Sequence, residues 1–243
     1  MTKKILPFLL LVAICFVTFS SCRKNGPGKA DPTLNYFPLQ FGKYVVYNVD
    51  SIYYIDTNCV QYESKSQQKY SITDTFTDKK HRLSYIMDVY SRPYDGADWH
   101  AINVILITPT PAGLLYFQDQ SEYVKLVFPI TNGYSWFGNR YVEVQDSMFS
   151  YLRNWPYTYS NVHLSYNDGL VNFDNTVTVM EDNESQNYPY VDSNVHAYRT
   201  FAKEIYAYNV GMVYKEWTHW VYRPDTSKCI KGYSVVMKAI EYN

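Results

Sequence analysis

Three acidic residues, Glu181, Asp182 and Glu184, stand close together ahead of Tyr188-Pro-Tyr190. Paired carboxylates hydrolyse glycosides when they face each other about 5–10 Å apart across a sugar ring. Neighbouring acids in a polar stretch are more often solvated, and nothing around these three indicates a cleft, so they read as a surface loop. Calcium is a poor fit, because the run lacks the spaced Asp/Asn pattern and the glycine of an EF-hand loop. The five histidines, His81, His100, His163, His196 and His219, are scattered singly. None belongs to a His-Glu-x-x-His spacing and no Cys-x-x-Cys occurs, so no zinc site is expected. Asp98-Trp99-His100 is the one acid–histidine neighbourhood, and it follows the turn-rich run Pro93-Tyr-Asp-Gly96, which makes a polar loop the better reading. Gly-x-Ser-x-Gly elbows and glycine-rich phosphate loops are absent. The expectation is a non-enzymatic protein with no catalytic set, no metal and no cofactor.

Aromatic residues are the remaining candidates for molecular recognition. Trp155-Pro-Tyr-Thr-Tyr159 and Glu216-Trp-Thr-His-Trp220 hold the tryptophans that look most exposed. Flat rings stack on sugars, but the same rings make good core and interface residues. On a strand, Trp217 and Trp220 fall on opposite faces, so at most one of them is expected in the core. Trp155, Trp217 and Trp220 are therefore candidate ligand-binding residues for a glycan. A concave sheet lined with Tyr and Phe is the other candidate site, suited to an acyl chain, since ligand pockets are concave and mostly apolar.

One residue has a specific covalent chemistry in prospect. Lys3 and Lys4 precede an apolar run, residues 5–17, which ends in Phe19-Ser20-Ser21-Cys22. The run matches the length of a secretory h-region. It is shorter than the roughly 20 apolar residues of a membrane-spanning helix and carries Pro7. Small residues leading directly into cysteine resemble a bacterial lipoprotein signal. That resemblance implies removal of residues 1–21 and a diacylglyceryl thioether with further acylation, palmitate-like, on Cys22. Cleavage without lipidation is the rival reading, since small residues serve that purpose too. Each buried methylene contributes about 0.8 kcal/mol, so several chains hold where a single one is marginal. Residues 22–35 read as a flexible tether rich in Gly, Pro and charge. The tether opens with Arg23-Lys24, whereas surface-exported lipoproteins of the Bacteroidetes type resemble one another in acidic residues at this point, which favours the periplasmic side of the outer membrane.

Residues 36–243 are sufficient for one large β domain. The net charge of −1 becomes −3 once Lys3 and Lys4 are removed, which gives no electrostatic case for nucleic acid. The 27 tyrosines all lie beyond Asn35, and tyrosine favours pleated, half-buried surfaces. Cys15 leaves with the signal and Cys22 is the lipid site, leaving Cys59 and Cys229 in the mature domain. In an oxidising envelope they are able to pair, and a pair of free buried thiols is the open alternative.

β-branched and aromatic residues between turn signals predict strands over 43–55, 70–77, 82–90, 101–108, 113–118, 122–128, 140–145, 175–181, 212–222 and 231–242. Residues 195–208 approach helical spacing at Val195, Tyr198, Phe201 and Ile205, but their content favours a strand. At most one short helix is expected. The fold class is mainly β, a single curved antiparallel sheet or half-barrel.

An internal echo runs through the chain. Phe37-Pro-Leu-Gln-Phe-Gly42 matches Phe128-Pro-Ile-Thr-Asn-Gly133, and an apolar residue stands three positions beyond each glycine, Val45 and Trp136. Proline fixes φ and glycine permits a positive one, so each copy predicts a bent lead-in to a strand. Either a duplicated half-sheet or one turn used twice gives this pattern. With Tyr36-Phe-Pro-Leu-x-x-Gly42 and Tyr206-Ala-Tyr-Asn-Val-Gly-Met-Val213, the chain resembles a group of Bacteroidetes envelope lipoproteins. The resemblance implies a curved antiparallel sheet, similar to those of periplasmic lipoprotein carriers, and brings no activity with it. The function expected is non-catalytic binding or assembly in a Gram-negative envelope, with a lipid, apolar ligand or envelope protein as partner. A glycan-binding accessory lipoprotein is the alternative.

Overall fold

The computed structural model describes residues 35–55, 57–143, 147–226 and 228–243, without the side chains of 147–149. The signal segment 1–21, Cys22 and the tether to residue 34 lie outside the described residues. The described residues form one compact unit.

Twelve strands make a single antiparallel sheet. The first six are β1 (Tyr44–Ile55), β2 (Val60–Thr77), β3 (Leu83–Arg92), β4 (His100–Thr110), β5 (Gly113–Gln118) and β6 (Ser121–Val127). The second six are β7 (Ser135–Phe137), β8 (Pro156–Asn167), β9 (Asn172–Gln186), β10 (Ala197–Ala207), β11 (Gly211–Tyr222) and β12 (Ile230–Tyr242). Each half is a meander, and the halves join where β1 pairs with β12, which leaves β6 and β7 as the outermost strands. An open row of strand N–H and C=O groups invites pairing with other chains. Here the two edges meet and the sheet is nearly closed into a barrel.

The seam is specific. Val124 N–H donates to Gly138 O at 2.8 Å, and Trp136 Nε1 donates to Val124 O at 2.7 Å. Lower down, Val127 N–H donates to the Tyr159 hydroxyl at 2.8 Å, and that hydroxyl donates to Val127 O at 3.0 Å. One side chain thus satisfies both backbone groups of an edge residue. Gly138 permits the approach, since a Cβ there would lie 2.3 Å from the Tyr157 ring.

The two Phe-Pro-x-x-x-Gly segments occupy corresponding places before β1 and β7. Gly42 and Gly133 have φ of 83° and 80°, in the region glycine adopts most readily. Lys43 N–H bonds Gln40 O at 3.1 Å, and Tyr134 N–H bonds Thr131 O at 3.1 Å. Gly42 N–H bonds Ile72 O and Ile72 N–H bonds Lys43 O; Gly133 N–H bonds Tyr159 O and Tyr159 N–H bonds Tyr134 O. The echo in sequence is therefore an echo in hydrogen bonding, one copy per six-stranded half. This goes beyond a shared local turn, because each copy reaches a distant strand in the same way.

Alternation fills the interior. Val45, Tyr47 and Val49 of β1, Ile105 and Ile107 of β4, Val177 and Val179 of β9, and Met237 and Ala239 of β12 are all buried in one continuous core, as period-two burial of a half-wet sheet requires. Tyr36 and Phe37 belong to the same core and stand where the chain enters the sheet. Cys59, between β1 and β2, and Cys229, just before β12, form a disulfide with Cα atoms 4.9 Å apart. In the chain-entropy account, closing so long a loop stabilises the fold by about 5 kcal/mol.

Two expectations are corrected. Residues 140–143 are turn and coil, not a strand, and Val142 N–H folds back onto Asn139 O. The acids near Glu181 are not in a loop: β9 runs through all three. Two strands were not anticipated, β7 and β8, and β2 begins ten residues before the expected 70. The segment 195–208, where a short helix was the alternative, gives β10 as the strand reading expected, and a 3-10 segment lies instead at Ser147–Leu152.

Candidate functional site

The seam brings β6 across the interior from β9, β10 and β11, and four ionisable residues meet there. Lys125 Nζ lies 2.6 Å from Glu181 Oε1 and 2.7 Å from Glu204 Oε1. Lys215 Nζ is 3.4 Å from the same Glu204 oxygen. The Tyr206 hydroxyl donates to Glu204 Oε2 at 2.5 Å. Lys125 belongs to the first half of the sheet and its four partners or neighbours to the second, so the charges span the closed interior. Glu181 and Glu204 are 0% and 1% exposed.

Two of these side chains sit at local irregularities of the ladder. Between β5 and β6 the ladder steps from Leu114↔Leu126 to Leu115↔Val124, which leaves Lys125 as the extra residue of a β-bulge. Between β9 and β10 it steps from Ala202↔Asp182 to Lys203↔Met180, which leaves Glu181 as the extra residue of a second bulge. Bulges bend a strand and re-aim a side chain. Glu204 and Lys215 need no such device: they are direct cross-strand partners on one face, with Tyr206 two residues further along β10.

The electrostatics follow from burial and from who faces whom. Burial raises the Glu181 carboxyl and the Glu204 charge adds to this, against the pull of Lys125 and Lys215. Burial also works to raise Glu204, but the two lysines and the hydrogen bonds from Lys125 and Tyr206 overcome it and hold the group below the usual carboxylate range. Burial opposes the Lys125 charge, yet Glu181 and Glu204 raise it above an ordinary lysine. Glu181 Oε2 is buried with no hydrogen-bond partner.

Beside the charges an elongated cleft opens. Its empty space is about 610 Å³ when the open solvent at its mouth is counted. Phe37 and Pro38 line it where the chain enters the sheet, Val45, Ile72, Met87 and Met212 form an apolar stretch, and Lys43, Gln118, Lys125, Glu204 and Lys215 supply the polar part. Tyr47, Tyr70, Tyr116 and Tyr206 also line it. The Tyr47 hydroxyl is spent on Met212 O at 2.8 Å, so that ring presents carbon to the cleft. The concave aromatic surface expected from the tyrosine content is located here.

The predicted tryptophan site is not assembled. Trp155 is 3% exposed and packs against Trp217, ring centroids 5.0 Å apart, with its Nε1 bonded to Tyr151 O. Trp217 is half-buried against the main core, while Trp220 is buried on the other face with Ala197 and Tyr222. The opposite-face reading of Trp217 and Trp220 agrees with this placement, but the exposure expected of Trp155 and Trp220 does not. His219 is stacked on Tyr151 at 3.6 Å and hydrogen-bonded to Thr200, and burial lowers it to about 4. Among the described residues no group of His, Cys, Asp or Glu is arranged to hold a metal ion.

No family model matches the chain, and no curated protein matches it. Solved structures do. One is a candidate exported protein with a YmcC-like fold from Bacteroides fragilis NCTC 9343, 13% identical over 84% of this chain and 98% of that chain, with a TM-score of 0.31. Another is a candidate lipoprotein from Parabacteroides distasonis ATCC 8503, 15% identical over 84% of this chain and 98% of that chain, with a TM-score of 0.32. Superposition at these scores is too loose to transfer a site.

Proposed function

We propose that this protein is a lipid-anchored component of a Gram-negative cell envelope that binds an apolar ligand, without catalysis, inside its curved sheet. The cleft is the observation that carries the reading. It is apolar along most of its length, and Phe37 and Pro38 line it where the chain enters the sheet. Twelve residues, 23–34, separate Cys22 from Asn35, and the thirteen steps between them span at most about 47 Å when fully extended. A lipid on Cys22 would therefore keep the cleft near a membrane, where apolar ligands partition. In this reading residues 1–21 are removed, residues 22–35 are the tether, and the anchor sits on the periplasmic side of the outer membrane.

Glycan binding is the weaker reading, because the rings of Trp155 and Trp220 are covered by protein. Two measurements test the proposal. Metabolic labelling with an alkynyl fatty acid is expected to mark the wild-type protein and not Cys22→Ala; equal labelling removes the anchor. Native mass spectrometry of protein from the producing cells is expected to show a retained apolar adduct lost on organic extraction. An adduct-free protein that also fails to take up a fluorescent acyl probe removes the ligand.

A further inference from the structure

The four interior charges are unevenly committed, and that asymmetry says which apolar ligand suits the cleft. An ammonium has three donors. Lys125 spends two of them on carboxylate oxygens at 2.6 and 2.7 Å. Lys215 has one ion-pair contact, the longer 3.4 Å approach to a Glu204 oxygen that Lys125 already holds, and its Nζ lies 5.7 Å from the Trp217 ring centroid. The second Glu204 oxygen is occupied by the Tyr206 hydroxyl. Lys215 lines the cleft, and its side chain is 23% exposed, against 2% for Glu204. Glu181, the carboxylate that would complete neutrality, does not line the cleft. The ligand space is thus bordered by three ammonium groups, Lys43, Lys125 and Lys215, and one carboxylate, Glu204; Lys43 Nζ is spent on the Asn209 and Asn243 main-chain oxygens, which leaves Lys215 as the least committed of the three. Next to it run Val45, Ile72, Met87 and Met212, which offer only hydrocarbon and thioether.

We propose that the cleft takes a single-chain amphiphile with an anionic head, whose oxygens accept from Lys215 while its alkyl chain lies along Val45, Ile72, Met87 and Met212. This rests on the reading of the cleft as an apolar-ligand site and names the ligand class. A neutral acyl chain would leave Lys215 with only its long contact to the shared Glu204 oxygen, and a cationic head would meet like charge from Lys125 and Lys215. An anionic head supplies the missing acceptor in surroundings drier than water, where charge-assisted hydrogen bonds are strong. A fatty-acid carboxylate and the phosphate of a lysophospholipid both fit this chemistry.

The full-length Cys22→Ala chain, purified without detergent, allows the test. Palmitate, hexadecanol and palmitoyl-lysophosphatidylglycerol are titrated separately, and [1-13C]palmitate reports the carboxylate environment by NMR. Palmitate or the lysophospholipid is expected to bind at least tenfold more tightly than hexadecanol, and whichever of the two prevails identifies the source of the anion. Lys215→Met is expected to abolish the preference, so that palmitate binds no more tightly than hexadecanol to the same variant, and Lys215→Arg to keep it. Circular dichroism establishes that each variant is folded, and the arginine variant carries the test where the methionine variant is not. Equal binding of palmitate and hexadecanol in the parent, or an unchanged preference in folded Lys215→Met, overturns the anionic-head assignment and leaves the apolar-ligand reading standing. Loss of the preference in a folded Lys215→Arg also overturns the assignment, because the charge is retained. If the parent binds none of the three, the apolar-ligand reading itself fails.

Discussion

Replacing Lys125 by Met tests whether the interior charges hold the barrel closed. Methionine nearly matches the lysine stem in volume, so the packing against Tyr116 and Tyr157, whose ring centroids are each 5.9 Å from Nζ, is largely kept. What disappears is the ammonium between two fully buried carboxyls. Glu204 keeps Lys215 and Tyr206, but Glu181 loses the partner of Oε1 while its Oε2 is already bare. Breaking a buried ion pair from one side costs about 3–5 kcal/mol. For a domain of this size each kcal/mol moves the midpoint by about 2–4 °C, so a fall of roughly 6–20 °C is expected. The loss also depends on pH. In the variant the Glu181 carboxyl is held further above its unfolded pKa of about 4.3, so the folded state binds its proton more tightly. Stability then falls as pH rises through the window above that value, and the penalty shrinks as pH is lowered. Thermal and urea melts followed by circular dichroism at about pH 7.5 and about pH 5.5 measure both effects. The double variant Lys125→Met/Glu181→Met, which removes the orphaned carboxyl, is expected to recover most of the loss. A penalty under about 1 kcal/mol at the higher pH, or one that is the same at both, would refute the view that this cluster is a clamp.

Two further outcomes follow from the same surroundings. Tyr159→Phe removes the hydroxyl that serves both backbone groups of Val127, so a loss of about 1–3 kcal/mol is expected, with faster amide exchange at Val127 in hydrogen-exchange NMR. Unchanged exchange there would mean the seam is held by other contacts. Burial, aided by the Glu184 charge, raises Asp182 to about 6. A carboxyl raised on folding lowers stability as pH climbs from about 4 to 6, so Asp182→Asn is expected to stabilise the protein at neutral pH by about 1–2 kcal/mol. That gain should vanish below about pH 4, and a gain independent of pH would argue against a titrating Asp182.

Fold was legible wherever a strand wrote its two faces in different residue types. β1, β5, β11 and β12 fall within a residue or two of where alternating Val, Ile and Tyr place them. The first half of β2 was missed because Val60-Gln-Tyr-Glu-Ser-Lys-Ser-Gln-Gln68 is polar on both faces. Its partners on β1 and β3 hold it in the ladder where local preference does not. β8 was missed for another reason. Trp155-Pro156-Tyr157 looks like a display of exposed rings, yet Tyr157 and Tyr159 are almost fully buried under the seam, which only a distant edge strand creates. The repeated Phe-Pro-x-x-x-Gly was the most informative signal of architecture. Its two copies mark the starts of two six-stranded halves, and the matched hydrogen bonds to Ile72 and Tyr159 give that spacing a structural meaning.

The candidate site was hidden by the rule that revealed the strands. Reading every second residue inward along β6 puts Leu126 on the face of Leu114 and leaves Lys125 facing out, and the same count along β9 sets Glu181 apart from Val177 and Val179 only by its charge. A bulge at Lys125 breaks the count on β6, whereas Glu181 already falls on the inward face of β9 and its bulge shifts the residues beyond it. Lys125 turns inward, and the charge it carries is tolerable because Glu181 supplies its counterion. Neither charge makes sense alone: Lys125 turned inward without Glu181 would leave one ammonium against Glu204, and Glu181 without Lys125 would be an unpaired acid in a tyrosine-lined interior. Sequence shows a lysine in an apolar strand and an acid among acids, 56 residues apart, with no periodicity linking them. They become a pair only when the sheet curls far enough for its first half to face its second. The site is therefore a property of closure, and a variant that opens the seam is expected to lose the cleft along with the charges that border it.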